Sequence, residues 1–199
     1  RAQAEALELD REVGDRQDEG FRHDALGVLE AQLGRYDEAH AAWSTALDIA
    51  GELGDRDLEL TSLRGLGEVD LARGRPEQAI EQLQRARTLA EELSDAGGLA
   101  WTELLLGHAH LALGDLDAAG RAYADAIARD DAPVSPAARA EAARVAVLRG
   151  DHDEARRLLE PVLPGLLALR GSGWLDLFRV HLVAGEALAA LADDRSAVV

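Results

Sequence analysis

Cysteine is absent from the 199 residues, and so are lysine, asparagine and methionine. Without cysteine the chain has no disulfide, no thiol nucleophile and no zinc–thiolate site. Without lysine it has no Gly-rich phosphate loop of the GK[ST] kind. No serine stands in a nucleophile-elbow context. Aromatic residues are scarce at 4%, and the apolar 47% is mostly Ala and Leu with few β-branched residues, a mix that favours helix over strand. Charges interrupt every apolar stretch before it reaches the length of a membrane span. No signal peptide opens the chain. The missing initiator methionine suggests a segment of a longer protein, expected in the cytoplasm.

What is abundant is negative charge. The formal net charge is -17 and the isoelectric point about 4.6. Such a surface repels phosphate backbones and anionic lipid, so neither nucleic acid nor a membrane is an expected partner. All 21 basic residues are arginine. The bias toward Ala, Gly, Arg, Asp and Leu is that of a GC-rich, bacterial coding sequence.

An internal repeat organises the rest. Leu26-Gly27 returns as Leu66-Gly67 and Leu106-Gly107, a spacing of 40 residues each time. Gly34, Gly74 and Gly114 keep the same period, as do Ala39, Ala79 and Ala119, and Ala46, Ala86 and Ala126. A fourth unit follows after a step of 36, with Gly150 and Ala155 in the columns of Gly114 and Ala119. Each unit reads as two amphipathic helices. Apolar residues recur at steps of three and four between Leu58 and Leu71, and again through Ile80, Leu83, Ala86 and Leu89. Gly74 suits a helix stop, Pro76 the first turn of the next helix, and Gly54-Asp55 a stop followed by an N-cap. Ser135-Pro136 reads as a similar start, and Pro161 and Pro164 should break the last second helix.

The register predicts one array over 1–199: a second helix of a preceding repeat at 1–15, then repeats at 17–54, 55–94, 95–131 and 135–170, and the first helix of a fifth at 172–194. Residues 6–15, ALELDREVGD, match residues 46–55, ALDIAGELGD, which places a helix end at Gly14-Asp15. About nine to ten helices and no sheet are expected, with Leu26, Leu66 and Leu106 all buried.

These columns resemble the tetratricopeptide repeat. Repeat one supplies Leu26, Gly27, Gly34, Tyr36, Ala39, Trp43 and Ala46; repeat three supplies Leu106, Gly107, Gly114, Ala119, Tyr123 and Ala126. Repeat two keeps the small residues but has Pro76 and Leu83 at the aromatic positions, and repeat four has Ala142-Ala143 for Leu-Gly. The resemblance implies an all-α, right-handed superhelical solenoid of antiparallel helix pairs. The family's usual unit is 34 residues, so the helices here should be about a turn longer. Forty-residue versions are similar to the repeat arrays behind the ATPase modules of large actinobacterial transcriptional regulators. The physics of the small columns is direct: a helix-interior Gly costs about 1 kcal/mol against Ala, so its recurrence marks close helix approach.

Candidate chemistry is thin. His108 and His110 stand two apart on a helix and so diverge, whereas helical metal pairs sit three or four apart. Asp151 to Glu154 occupies a turn that reads as an N-cap. No cofactor, metal or catalytic residue is expected, and the chain is not read as an enzyme. The resemblance instead implies a concave groove lined by the first helices. Its columns hold Phe21, Asp24 and Val28, then Thr61, Arg64 and Glu68, then Trp101, Leu104 and His108, then Ala140 and Arg144. Aromatic and arginine anchors of this kind are frequent hot spots. The bland alternative is that Phe21 and Trp101 pack against neighbouring helices. The Lys- and Asn-rich cluster by which some family members clamp acidic chaperone tails is missing. The expectation is a protein- or peptide-binding module of a larger regulator, its partner a separate protein, a peptide or another domain of the parent. A stand-alone adaptor or scaffold is the alternative. An apolar stripe on Trp174, Leu177, Val180 and Leu188 predicts self-association through the terminal helices.

Overall fold

Left-handed glycines end most of the helices. Gly54 (φ 68°) caps the helix that ends at Leu53 and Gly74 (φ 71°) closes the turn after the helix that ends at Ala72, a conformation that a Cβ disfavours. Gly34, Gly114 and Gly150 repeat it, while Ser94 takes the Gly54 column with φ 56°. The computed structural model describes residues 2–129, 134–164 and 182–191. Eight helices follow in order: α1 Ala2–Gln32, α2 Tyr36–Leu53, α3 Arg56–Ala72, α4 Pro76–Leu93, α5 Ala96–Ala112, α6 Leu116–Ala128, α7 Ser135–Leu148 and α8 His152–Leu159. Residues 182–191 are also helical, and no strand occurs among the described residues. No described helix is long and apolar enough to cross a membrane.

Two compact units, Arg1–Ser94 and Asp95–Val199, divide the chain. In the first, α1 packs on α2 and α3, and α3 on α2 and α4. Trp43, Ala39, Leu66 and Val69 form one core between α2 and α3; Ala46, Ile49, Ala50 and Leu58 form another. In the second, α5 packs on α6 and α7, and α7 on α6 and α8. Tyr123, fully buried, sits among Ala100, Leu104, Ala119 and Ala138. A further core joins α7 and α8 to Val183, Ala184, Ala187 and Leu191.

The small columns make these contacts possible. A Cβ at Gly67 would stand 2.7 Å from Leu83 Cγ, and one at Gly27 2.6 Å from the Trp43 ring. A Cβ at Gly65 would also collide with Trp43, and one at Gly107 with the Tyr123 ring. The indole of Trp43 thus lies between glycines of two different helices. The N-caps differ between units. Asp115 and Asp151 start α6 and α8 and accept from Ala118 N–H (2.9 Å) and Glu154 N–H (3.0 Å). The same column holds Arg35 and Arg75 before α2 and α4, where no side-chain cap bond forms.

Ion pairs follow the repeat. Arg16–Glu52 (2.8 Å) ties the middle of α1 to the end of α2, and Arg56–Glu92 ties α3 to α4 in the same columns. Arg73–Asp37 (2.5 Å) and Arg149–Asp117 (2.7 Å) join each second helix to the first helix that follows. The step of 36 between repeats three and four has its counterpart in α6, which has 13 residues where α2 and α4 have 18.

Three expectations need correction. No break occurs at Gly14-Asp15, because α1 runs unbroken from Ala2 to Gln32. Leu66 and Leu106 are buried, but Leu26 is 42% exposed. The two findings share a cause. Leu66 is covered by Ala39 and Trp43 of the helix before its own, whereas residues 2–13 continue α1 itself and so do not fold back over Leu26. Ser135 does not cap α7: it lies inside the first turn, where its hydroxyl accepts from Arg139 Nε (3.3 Å), and Val134 is the cap residue. Of the C-terminal stripe, Leu188 is 39% exposed, whereas Trp174, Leu177 and Val180 lie outside the described residues.

Candidate binding surfaces on the first helices

In the first unit, three helices converge on Asp24. Trp43 of α2 donates its indole N–H to the Asp24 carboxylate at 3.0 Å. The Thr61 hydroxyl of α3 stands between two acceptors, the Asp24 carboxyl and the Leu58 carbonyl (3.2 Å), and can donate to one at a time. Burial pushes the Asp24 carboxyl above its ordinary value; the Trp43 and Thr61 hydrogen bonds and the nearby Arg64 charge offset that only in part. Beside this cluster, Phe21 and Val28 are exposed, at 47% and 43%. Glu68 is exposed one turn beyond Arg64. Two acidic groups, one arginine and two apolar side chains therefore share the first-helix columns of this unit.

The second unit repeats the plan with different residues. Glu141 of α7 is buried, and its carboxylate lies 3.4 Å from His108 Nε2 of α5 and 3.5 Å from Arg144 Nη1. His108 rests edge-on against Tyr123, ring centroids 5.8 Å apart. In each unit a second-helix aromatic supports a polar cluster that links two first helices. Among the described residues, no three His, Asp or Glu side chains converge as metal ligands would.

The structure thus brings together Asp24 with Arg64, and His108 with Arg144. It moves Leu104 out of the candidate set, since Leu104 is buried in the core with Ala100 and Tyr123. Trp101 is half-buried and packs against that same core. The cause is local: α5 is apolar on nearly every side, so its groove columns are drawn into packing. Ala140 is likewise core. Sequence reasoning missed Glu141 and the part played by Trp43. The available signal was Glu141 itself, an acidic residue one position from the small Ala142-Ala143 columns, where a buried side chain is expected.

The tetratricopeptide-repeat family model matches residues 21–92, 64–132 and 104–162. The chain is a tetratricopeptide-repeat (TPR) protein. Solved structures agree in fold. BtubC (BKLC) from P. vanneervenii superposes with a TM-score of 0.70 at 19% identity, over 93% of this chain and 85% of that one. The kinesin light chain protein with nearly identical TPR-like repeats from Podosopora anserina gives 0.66 at 20% identity, over 88% of each chain. MamA gives 0.57 at 22%, over 88% of this TPR chain and 89% of its own. No curated protein matches the sequence. TPR domains are interaction modules, typically without catalytic activity, and no enzyme family is indicated for this one.

Proposed function

We propose that this TPR chain is a single interaction array that binds a protein or peptide through the first-helix face, as a sensing module of a larger bacterial regulatory protein. The observation that carries the reading is the surface around Asp24. Exposed Phe21 and Val28 flank a half-buried carboxylate whose position is set by Trp43, with Glu68 and Arg64 one helix away. Exposed apolar groups beside fixed charges are the character of a recognition surface rather than of a solvated face. The acidic balance suits a partner with an apolar anchor and a basic neighbour. In the second unit, taken by itself, His108 and Arg144 occupy the same repeat columns, held by Glu141. The parent-protein reading rests on the resemblance of the 40-residue repeat to arrays in actinobacterial ATPase regulators.

Peptide selection against the whole chain tests the binding face. Enriched peptides should share an apolar residue next to Arg or Lys, and Phe21→Ser should abolish their binding without changing the melting temperature. Binding that survives Phe21→Ser and is lost on changing Leu29 would assign recognition to another face. The genomic reading frame tests the parent: ATPase and DNA-binding segments upstream support the regulator, and a short stand-alone frame supports an adaptor.

A further inference from the structure

The first helices of the second unit depart from the acidic balance of the chain. The acids of α5 and α7 are Glu103 and Glu141, and both are buried, at 4% and 3%. The ionisable groups these two helices leave partly accessible are His108, His110, Arg139 and Arg144. The column that holds exposed Glu68 in α3 holds His108 in α5 and Arg144 in α7. On a chain of net charge -17, a face whose accessible ionisable groups are all basic is complementary to an acidic partner group. Trp101, half-buried, stands seven residues before His108, on the same face of α5, and offers an apolar wall beside it.

Buried Glu141 sets how much of that positive charge is available. Its carboxylate lies 3.4 Å from His108 Nε2 and 3.5 Å from Arg144 Nη1. Neither contact is as close as Arg149–Asp117 at 2.7 Å, and the Arg144 side chain is 43% exposed. While the imidazole is neutral, Arg144 balances Glu141 and the charges of the trio cancel. A protonated imidazole balances Glu141 instead, and the guanidinium is left in excess at the surface. Histidine is the side chain that ordinarily changes charge between about pH 5 and pH 8. The groups that face His108 are Tyr123 of α6, edge-on, and Glu141 and Arg144 of α7. The charged residues of α6, Asp117, Arg121 and Asp125, are exposed, and Arg139 of α7 is hydrogen-bonded to Ser135. We propose that the first-helix face of the second unit binds an acidic side chain of a peptide partner through Arg144 and takes up one proton at His108 as it does so. A planar guanidinium with paired N–H donors suits a carboxylate. The inference rests on the groove reading above and adds to it a partner charge and a proton.

The peptide selection is run on the whole chain at about pH 8 and at about pH 6, with a library that displays no free C-terminus. A second class of peptides, with Asp or Glu next to an apolar residue, should be enriched at the lower pH, lost with Arg144→Gln and kept with Phe21→Ser. One such peptide, synthesised with an amidated C-terminus, is the probe for titration calorimetry. Its affinity should fall by up to about tenfold for each pH unit raised, the slope of a single linked proton. Heats in two buffers of different ionisation enthalpy should give about one proton taken up per peptide bound, a count made on the parent protein that needs no variant to fold. His108→Gln should abolish the uptake and hold the affinity at the parent's value for pH 8. It keeps the other five histidines, so the general fall in negative charge at pH 6 is common to both proteins. Binding without proton uptake overturns the proposal, as does a His108→Gln protein with the parent's pH slope. Recovery of the basic class alone overturns this proposal and leaves the groove reading standing; recovery of neither class overturns both.

Discussion

Asp24 illustrates how one side chain serves both fold and surface. Its carboxylate receives the Trp43 indole N–H at 3.0 Å while burial holds its affinity for a proton above the ordinary aspartate value of 3.8. The folded chain therefore binds that proton more tightly than the unfolded chain. The contribution favours folding in acid and is lost as pH climbs from about 3.8 through the raised value. Asp24→Asn removes the titration and keeps an oxygen for the indole. The variant should gain on the parent as pH rises through that window and hold a constant advantage above it. Thermal midpoints of the two proteins from about pH 3 to pH 8 measure this; a flat difference would mean that Asp24 titrates alike in both states. Asp24→Ala should behave differently, because it strands the N–H of buried Trp43, a loss of about 1–3 kcal/mol at every pH.

Helix by helix, the glycine columns and the caps decide how well each pair closes. Gly67 faces Leu83 with no room for a Cβ, so Gly67→Leu should destabilise by about 1–3 kcal/mol through overpacking. Urea unfolding tests it, and combining it with Leu83→Ala should cost less than the separate losses added together. The caps offer a gain. Arg35 has backbone angles close to those of Asp115 (φ -90°, ψ 70° against φ -80°, ψ 81°) but gives α2 no acceptor. In a Glu30→Gln background, where the ion pair between Arg35 and the largely buried Glu30 side chain is already removed, Arg35→Asp should stabilise by about 0.5–1 kcal/mol. An unaltered urea midpoint would show that water already satisfies that turn. At this scale the sequence was most readable. Its glycine and alanine columns report on one neighbouring helix at a fixed offset, so the period alone located the helix pairs, the stops at Gly54 and Gly74, and the cap at Asp55. What it could not report was whether a pattern would be used. Residues 6–15 spell a second helix, but helix continuity at Gly14-Asp15 depends on whether the turn closes, which no local residue dictates. The groove columns failed in α5 for a related reason. A column names a direction only relative to the packing around it, and an all-apolar helix pulls Trp101 and Leu104 inward.

Across the whole molecule, negative charge outweighs positive. Thirty-eight acidic residues face 21 arginines, so the compact chain repels itself. Raising salt from about 0.01 M to about 0.1 M shortens the screening length from about 30 Å to about 10 Å, and the melting temperature should rise. The exposed ion pairs weaken over the same range but contribute less than the net repulsion; a falling melting temperature would reverse that ranking. The pairs carry a different consequence. Arg16–Glu52, Arg56–Glu92, Arg73–Asp37 and Arg149–Asp117 fasten helix to helix with guanidinium groups alone. Guanidinium keeps its proton through any alkaline range a cell meets, and it is not a substrate for acetyl transfer or ubiquitin conjugation at lysine. Amine-directed enzymes and reagents therefore find no side chain to act on anywhere along this sequence. Salt can loosen these fastenings, but lysine chemistry cannot.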